Sequence, residues 1–198
     1  MNRNDVNPEV RDDAVLEACI GVLELCSVAR GVEVADAVLK EARVELLFAT
    51  PVQPGKYVML FTGGVQDVAA SARRGAELAG PDLVDQLVLP QVHEQVVPML
   101  KRKGGKINGR LDAVGIIETM TVASTIQAAD TALKTATVDL IDLRIANGLG
   151  GKSFFTVTGE VSDVRASVMA GARRAQESGQ LARDVVIPRP HEGLVRHL

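Results

Sequence analysis

The chain has 198 residues, long enough for one large domain or two small ones, and is 46% hydrophobic, 3% aromatic and free of Trp. Its net charge is −3 with 24% charged residues, and it has no basic patch of the kind that neutralises phosphates, which argues against nucleic acid as a partner. No run reaches the roughly 20 apolar residues of a membrane span, and Met1–Asp13 is too polar for a secretory signal, so no membrane partner is expected.

Residues 1–17 read as an N-terminal arm. Ile20–Leu25 is a predicted strand. Cys19 and Cys26 are assigned to this same strand at an odd separation, which points their side chains to opposite faces. They cannot pair within one chain and are expected as small core hydrophobes in a reducing, cytosolic setting. Val28–Ala42 is a predicted helix in which Val28, Val32, Ala35, Leu39 and Ala42 share a face. The strand Val44–Ala49 follows. Thr50–Lys56, with two prolines and a glycine in seven residues, reads as a stiff loop with no freedom to become helix or strand. Tyr57–Phe61 is the next strand and Val65–Ala79 the next helix, with Asp67 in its first turn. Gly80-Pro81 stops that helix, Leu83–Leu89 is the fourth strand, and His93–Leu100 is a short closing helix. Lys101–Arg110 is basic and glycine-rich and reads as a linker.

The pattern then repeats. Ile20–Leu46 lies over Val114–Leu140 without a gap, and eleven of these 27 positions are identical, Glu24, Asp36, Leu39 and Lys40 among them. After a loop that gains two residues (Ala146–Lys152 in the second copy), Gly55–Gly75 lies over Gly151–Gly171. Pro90 and His93-Glu94 return as Pro188 and His191-Glu192. The fold class is therefore α+β: a tandem duplication of a ferredoxin-like β-α-β-β-α-β unit, each an antiparallel four-stranded sheet with helices on one face. The expected division is an arm at 1–17, a first domain at 18–102, a linker at 103–110 and a second domain at 111–198.

Several motifs in order carry a resemblance. The run V-A-R-G-V-E-V-A-D-A-V-L-K-E-A-R-V-E-L-L with P-G-K-Y after it, D-T-A-L-K-T-A-T-V-D-L with G-L-G-G-K-S-F, G-E-V-S-D-V-R-A-S-V, and V-I-P-R-P-H-E at Val186–Glu192 resemble bacterial microcompartment shell proteins over about residues 18–198. Two unpermuted copies per chain resemble the tandem-domain trimeric subclass, and within it the propanediol-utilisation branch known for an iron–sulfur cluster at its central pore. The resemblance implies a structural, non-enzymatic protein: a homotrimer forming a pseudosixfold ring that tiles with other shell proteins of the same compartment in the cytoplasm. It leaves contact with encapsulated enzymes open. It also implies that the loops line a pore for small metabolites, through Gln53, Pro54, Gly55, Leu149, Gly150 and Gly151, and that Lys40, Lys134 and Arg189 lie on the tile edge.

The sequence departs from the branch at two places. Gln53 stands where the cluster-bearing proteins have a cysteine, and a glutamine amide does not replace a thiolate. No metal and no cofactor are therefore expected. Gln91 and Val92 stand in the first copy where the second has Arg189 and Pro190, so the edges of the two copies should differ. No nucleophile elbow, HExxH, CxxC or phosphate loop is present, and no catalytic residue is assigned. Glu24 and Glu118 read as hydrogen-bonded structural carboxylates. Lys56 and Lys152, at strand starts, are expected to point away from the hole. Two other readings stay open: a tandem ferredoxin-like sensor of a small metabolite and, through the resemblance to the cluster-bearing branch, an iron–sulfur electron conduit.

Overall fold

Cys19–Leu25 is buried at all seven positions, on both faces, and forms the central strand β1. It pairs antiparallel with β3 (Lys56–Gly63) on one side and β4 (Leu83–Leu89) on the other. β2 (Val44–Val52) joins at the edge through β3, which gives the order β2-β3-β1-β4. The second half builds the same sheet from β5 (Ala113–Thr119), β6 (Asp139–Arg144), β7 (Ser153–Gly159) and β8 (Leu181–Pro188), in the order β6-β7-β5-β8. A computed structural model of the protein describes residues 19–101, 111–145 and 149–197. The arm at 1–17 and the linker at 103–110 lie outside the described residues. Among the described residues no helix is long and apolar enough to cross a membrane.

A side chain caps the first helix of each half. Ser27 accepts a hydrogen bond from the Arg30 N–H at the start of α1 (Val28–Glu41), and Thr121 does the same for Ser124 at the start of α4 (Val122–Thr135). α2 (Val65–Ala79) stops at Gly80, whose φ of 53° suits a residue without a Cβ. α5 (Val161–Glu177) is the counterpart of α2. Two short helices close the halves, α3 (Val96–Lys101) and α6 (Glu192–Val195).

The structure corrects four expectations. Thr50–Lys56 is not a seven-residue loop, because β2 runs on through Thr50, Pro51 and Val52 and only Gln53, Pro54 and Gly55 form the tip. Pro51 is tolerated because β2 is an edge strand, where its missing N–H removes no ladder bond. Cys26 is not a core residue. β1 ends at Leu25, and the exposed thiol of Cys26 lies 3.6 Å from Asp82 Oδ1. The first closing helix begins at Val96, three residues after His93, whose Nδ1 accepts from Gln95 N–H just before it. Finally, the apolar face of α1 read from the sequence is mostly not the face buried in the protomer: the helix buries Gly31, Val34, Ala35 and Val38 and leaves Val28, Val32 and Leu39 exposed.

One core cluster fills the first half between its sheet and α1 and α2, with Leu23, Met59 and Phe61 against Val34, Val38 and Val68. The opposite face of that sheet is apolar as well. Val22, Val58, Leu60 and Leu87 belong to a second cluster that continues into Val122, Ile126 and Ala129 of α4 and the core of the second half. The two halves therefore meet through the helix-free face of the first sheet and the outer face of α4. Both sides of α4 are covered, which is why ten of its residues are buried against four in α1.

Candidate functional site: two loops and the joint behind them

The tip Gln53-Pro54-Gly55 is exposed and closed by Gly55 N–H donating to the Val52 carbonyl at 3.0 Å. In the second half, Lys152 N–H donates to the Leu149 carbonyl at 3.2 Å, and Gly150 and Gly151 take φ of 61° and 89°. Residues 146–148 of that loop lie outside the described residues. The structure brings the two loops together. Gly151 is buried against the first loop: its positive φ favours glycine, and a Cβ there would sit tightly, 3.1 Å from Pro54 Cδ and 3.4 Å from Lys56 Nζ.

Lys56 turns inward from its loop. Its Nζ lies 2.8 Å from Glu24 Oε1 and 3.5 Å from the Gly151 carbonyl oxygen. Glu24 is 0% exposed, and its other oxygen accepts the Val122 N–H at 2.8 Å, at the first turn of α4. One buried carboxylate thus joins the first sheet, the second half's helix N-terminus and, through Lys56, both loops. Burial pushes the Glu24 carboxyl above its ordinary value; Lys56 and the Val122 N–H pull the other way and return only part of that cost. The repeat places Glu118 and Lys152 in the matching pair at 2.9 Å, with both side chains partly exposed.

A second set of bonds crosses the same joint. Asp130 on α4 accepts from the His93 N–H at 2.7 Å and from Lys134 Nζ at 2.8 Å, and Lys134 also donates to the Gln91 carbonyl at 2.7 Å. Gln95 Oε1 accepts the Leu140 N–H at 2.7 Å, and Thr121 donates its hydroxyl to Asp85. Lys134 is therefore bonded inside the protomer as well as half exposed. Its counterpart Lys40 pairs with Asp36 at 2.6 Å in open solvent. Arg189 is exposed with φ 49°, and Gln91 has φ 54°, so the backbone bend survives the Gln-for-Arg departure. His191 caps α6, its Nδ1 accepting from Gly193 N–H at 3.1 Å.

Sequence reasoning found Glu24 and Glu118, Lys40 and Lys134 through their repetition. It missed the partners Val122, His93, Gln91 and Asp85, because each bond joins residues 36 or more positions apart. The donors at the loops do not fit an iron–sulfur cluster. Gln53 carries no thiol, and the chain's two cysteines are elsewhere: Cys19 is buried with its thiol pushed up by burial, and Cys26 sits beside Asp82. Among the described residues no three His, Cys, Asp or Glu side chains come together as a metal site.

Comparison with known proteins places this architecture. A family model described as the BMC domain matches residues 19–92 and again 113–190. The bacterial microcompartment shell protein PduT of Citrobacter freundii is 43% identical over 183 residues, 92% of this chain and 98% of PduT. The shell protein EutM of Salmonella typhimurium is 38% identical over 84 residues, which are 42% of this chain and 85% of EutM. The crystal structure of a microcompartments protein from Desulfitobacterium hafniense DCB is 48% identical and superimposes with a TM-score of 0.80, covering 91% of this chain and 99% of that one.

Proposed function

The chain belongs to the BMC-domain family of bacterial microcompartment shell proteins, and on that premise we propose that three copies close into a ring of six half-domains whose loops surround a central metabolite pore. The protein is a structural shell component, and its relatives are shell proteins. We read it as without catalytic activity of its own and as residing in the shell, in the cytoplasm, tiled with other shell proteins. The relatives named above are shell proteins, which favours this reading over the sensor alternative, and the electron-conduit alternative lacks thiolate ligands at Gln53.

The observation that carries the ring is the unequal exposure of the two repeats. Val122, Ile126 and Leu133 of α4 are 0%, 0% and 5% exposed under the first half; their counterparts Val28, Val32 and Leu39 of α1 are 39%, 56% and 45% exposed. On the sheet side, Leu87 is 7% exposed and its counterpart Val185 is 40%. One protomer thus contains a finished joint plus an unused copy of each of its two faces. These faces differ, so a second copy docks head to tail, and such an interface closes into a ring when the rotation allows. The joint in the chain supplies one step, and three chains supply the six that the family's pseudosixfold ring needs. Sedimentation of the purified protein should give a trimer burying more than about 2,000 Å² at each subunit contact. A monomer at micromolar concentration would rule the ring out.

In that ring Gln53, Pro54 and Gly55 alternate with Leu149, Gly150 and Gly151 around the axis. Lys56 and Lys152 are held by Glu24 and Glu118, so the opening is lined by backbone groups and neutral amides. A rim without a ring of charge suits small polar metabolites rather than ions of one sign. On the outside, Lys40, Lys134 and Arg189 are the proposed edge contacts. Lys40→Ala should leave the trimer intact and reduce the flat sheets seen by electron microscopy. Lys134→Ala should do so too while also loosening the protomer, because it removes the bond to the Gln91 carbonyl. Sheets as extensive as wild type from both variants would rule the edge assignment out.

A further inference from the structure

The two repeats differ in a matched way at the two faces that meet. In the internal joint, Asp85 on β4 stands over the start of α4 and accepts the Thr121 hydroxyl. The helix surface there is neutral, with Ser124, Gln127 and Gln180 around the cap. Superposing the second sheet on the first puts Arg183 where Asp85 stands, since Glu24 pairs with Asp85 and Glu118 with Arg183 in their sheets. The start of α1 has changed as well. Ser124, Gln127 and Gln180 correspond to Arg30, Glu33 and Asp82, and these three form a cluster: Arg30 lies 2.6 Å from Glu33 and 3.6 Å from Asp82. The replacement of an acid by a base on the sheet face goes with the appearance of two carboxylates and one guanidinium at the start of the helix.

We propose that Arg183 of one copy enters the Arg30–Glu33–Asp82 cluster at the start of α1 in the next copy, so that the joints between chains are ionic where the joint within the chain is neutral. The proposal rests on the ring described above and names the chemistry that orders it. Arg183 is exposed in the protomer and its addition brings that cluster to two positive and two negative side chains. The reverse pairing is penalised on both sides. Asp85 laid over α1 would add a third carboxylate to the single guanidinium of Arg30, and Arg183 laid over α4 would find no acidic side chain in that helix's first turn. Juxtaposed like charges cost far more than a matched surface pair returns, so the effect is on partner choice more than on affinity. First halves then meet only second halves, and the ring alternates.

Sedimentation velocity on the full chain over a dilution series, at low and high NaCl, tests this. Wild type should dissociate more readily at high salt. Arg183→Glu and Asp82→Lys should each raise the dissociation constant by about tenfold or more. The double variant R183E/D82K should return to within about threefold of wild type, because the pair is restored with its sign reversed. Arg183→Gln should fall between wild type and Arg183→Glu, and circular dichroism should show all four variants folded, since both side chains are on the surface. A ring that forms equally well with Arg183→Glu, or a double variant no tighter than either single one, overturns the pairing and leaves the ring standing. Wild type that never associates overturns the ring and the pairing with it.

Discussion

Glu24→Ala should cost the protomer about 3–5 kcal/mol, the cost of removing one partner from a buried ion pair. The substitution leaves Lys56, which is 20% exposed, with its charge uncompensated and leaves the Val122 N–H without an acceptor at a helix N-terminus. It also frees Lys56 from the site that holds it near the Gly151 carbonyl, so both loops lose their common anchor. Chemical denaturation of the folded protein measures the loss. A loss below about 1 kcal/mol would mean that the pair is as weak as an exposed one. Glu24→Gln should lose less, because the amide keeps the volume and still accepts from Val122. The same variant isolates the pH dependence. Burial raises the carboxyl above its ordinary value of 4.5, so the folded chain keeps this proton over a range where the unfolded chain has released it. The stability contribution of Glu24 therefore falls as pH rises from the ordinary value to the raised one and is constant above it. Glu24→Gln should flatten that segment of the stability curve, and an unchanged curve would show that the carboxyl is not raised.

Val32→Asp combined with Leu39→Asp should convert the trimer to a monomer that still folds. In the finished joint the counterparts Ile126 and Leu133 are nearly or fully buried, and each buried aliphatic side chain is worth about 1.5–3 kcal/mol. Replacing two of them per joint by carboxylates removes that term and adds a desolvation cost. With tenfold in affinity per 1.4 kcal/mol, each joint weakens by about a thousandfold or more. The protomer itself loses little, since both positions are exposed and α1 keeps Val34, Ala35 and Val38 on its sheet. Sedimentation reads the assembly and a thermal melt reads the fold. A trimer that persists would show that α1 does not face the neighbour. Ile126→Asp should instead unfold the chain, because the same position there lies in a joint that one chain completes by itself.

The contrast between these two helices marks the boundary between what was legible in the residues and what was not. The double repeat, the β-α-β-β-α-β order and the boundaries of helix Val65–Ala79 and strand Leu83–Leu89 follow from periodicity and from glycine and proline punctuation. These are local signals, and local signals survive in any tertiary setting. The repeat also singled out Glu24 and Glu118, Lys40 and Lys134. What periodicity could not say is which apolar face of α1 is covered by its own sheet and which by another element. Val28, Val32 and Leu39 share a face as regular as the one actually buried, because both faces are apolar. Pro51 was misread for a related reason: proline bars a central strand and not an edge one, and only the strand order β2-β3-β1-β4 makes β2 an edge. Glu24, Asp130 and Lys134 also bond Val122, His93 and Gln91 of the other repeat, and those bonds exist only once the two halves are docked. A sequence determines its own periods and breaks. The pairing of distant faces depends on their shape and charge in three dimensions, and that pairing distinguishes the finished joint of this protein from the two faces it leaves open.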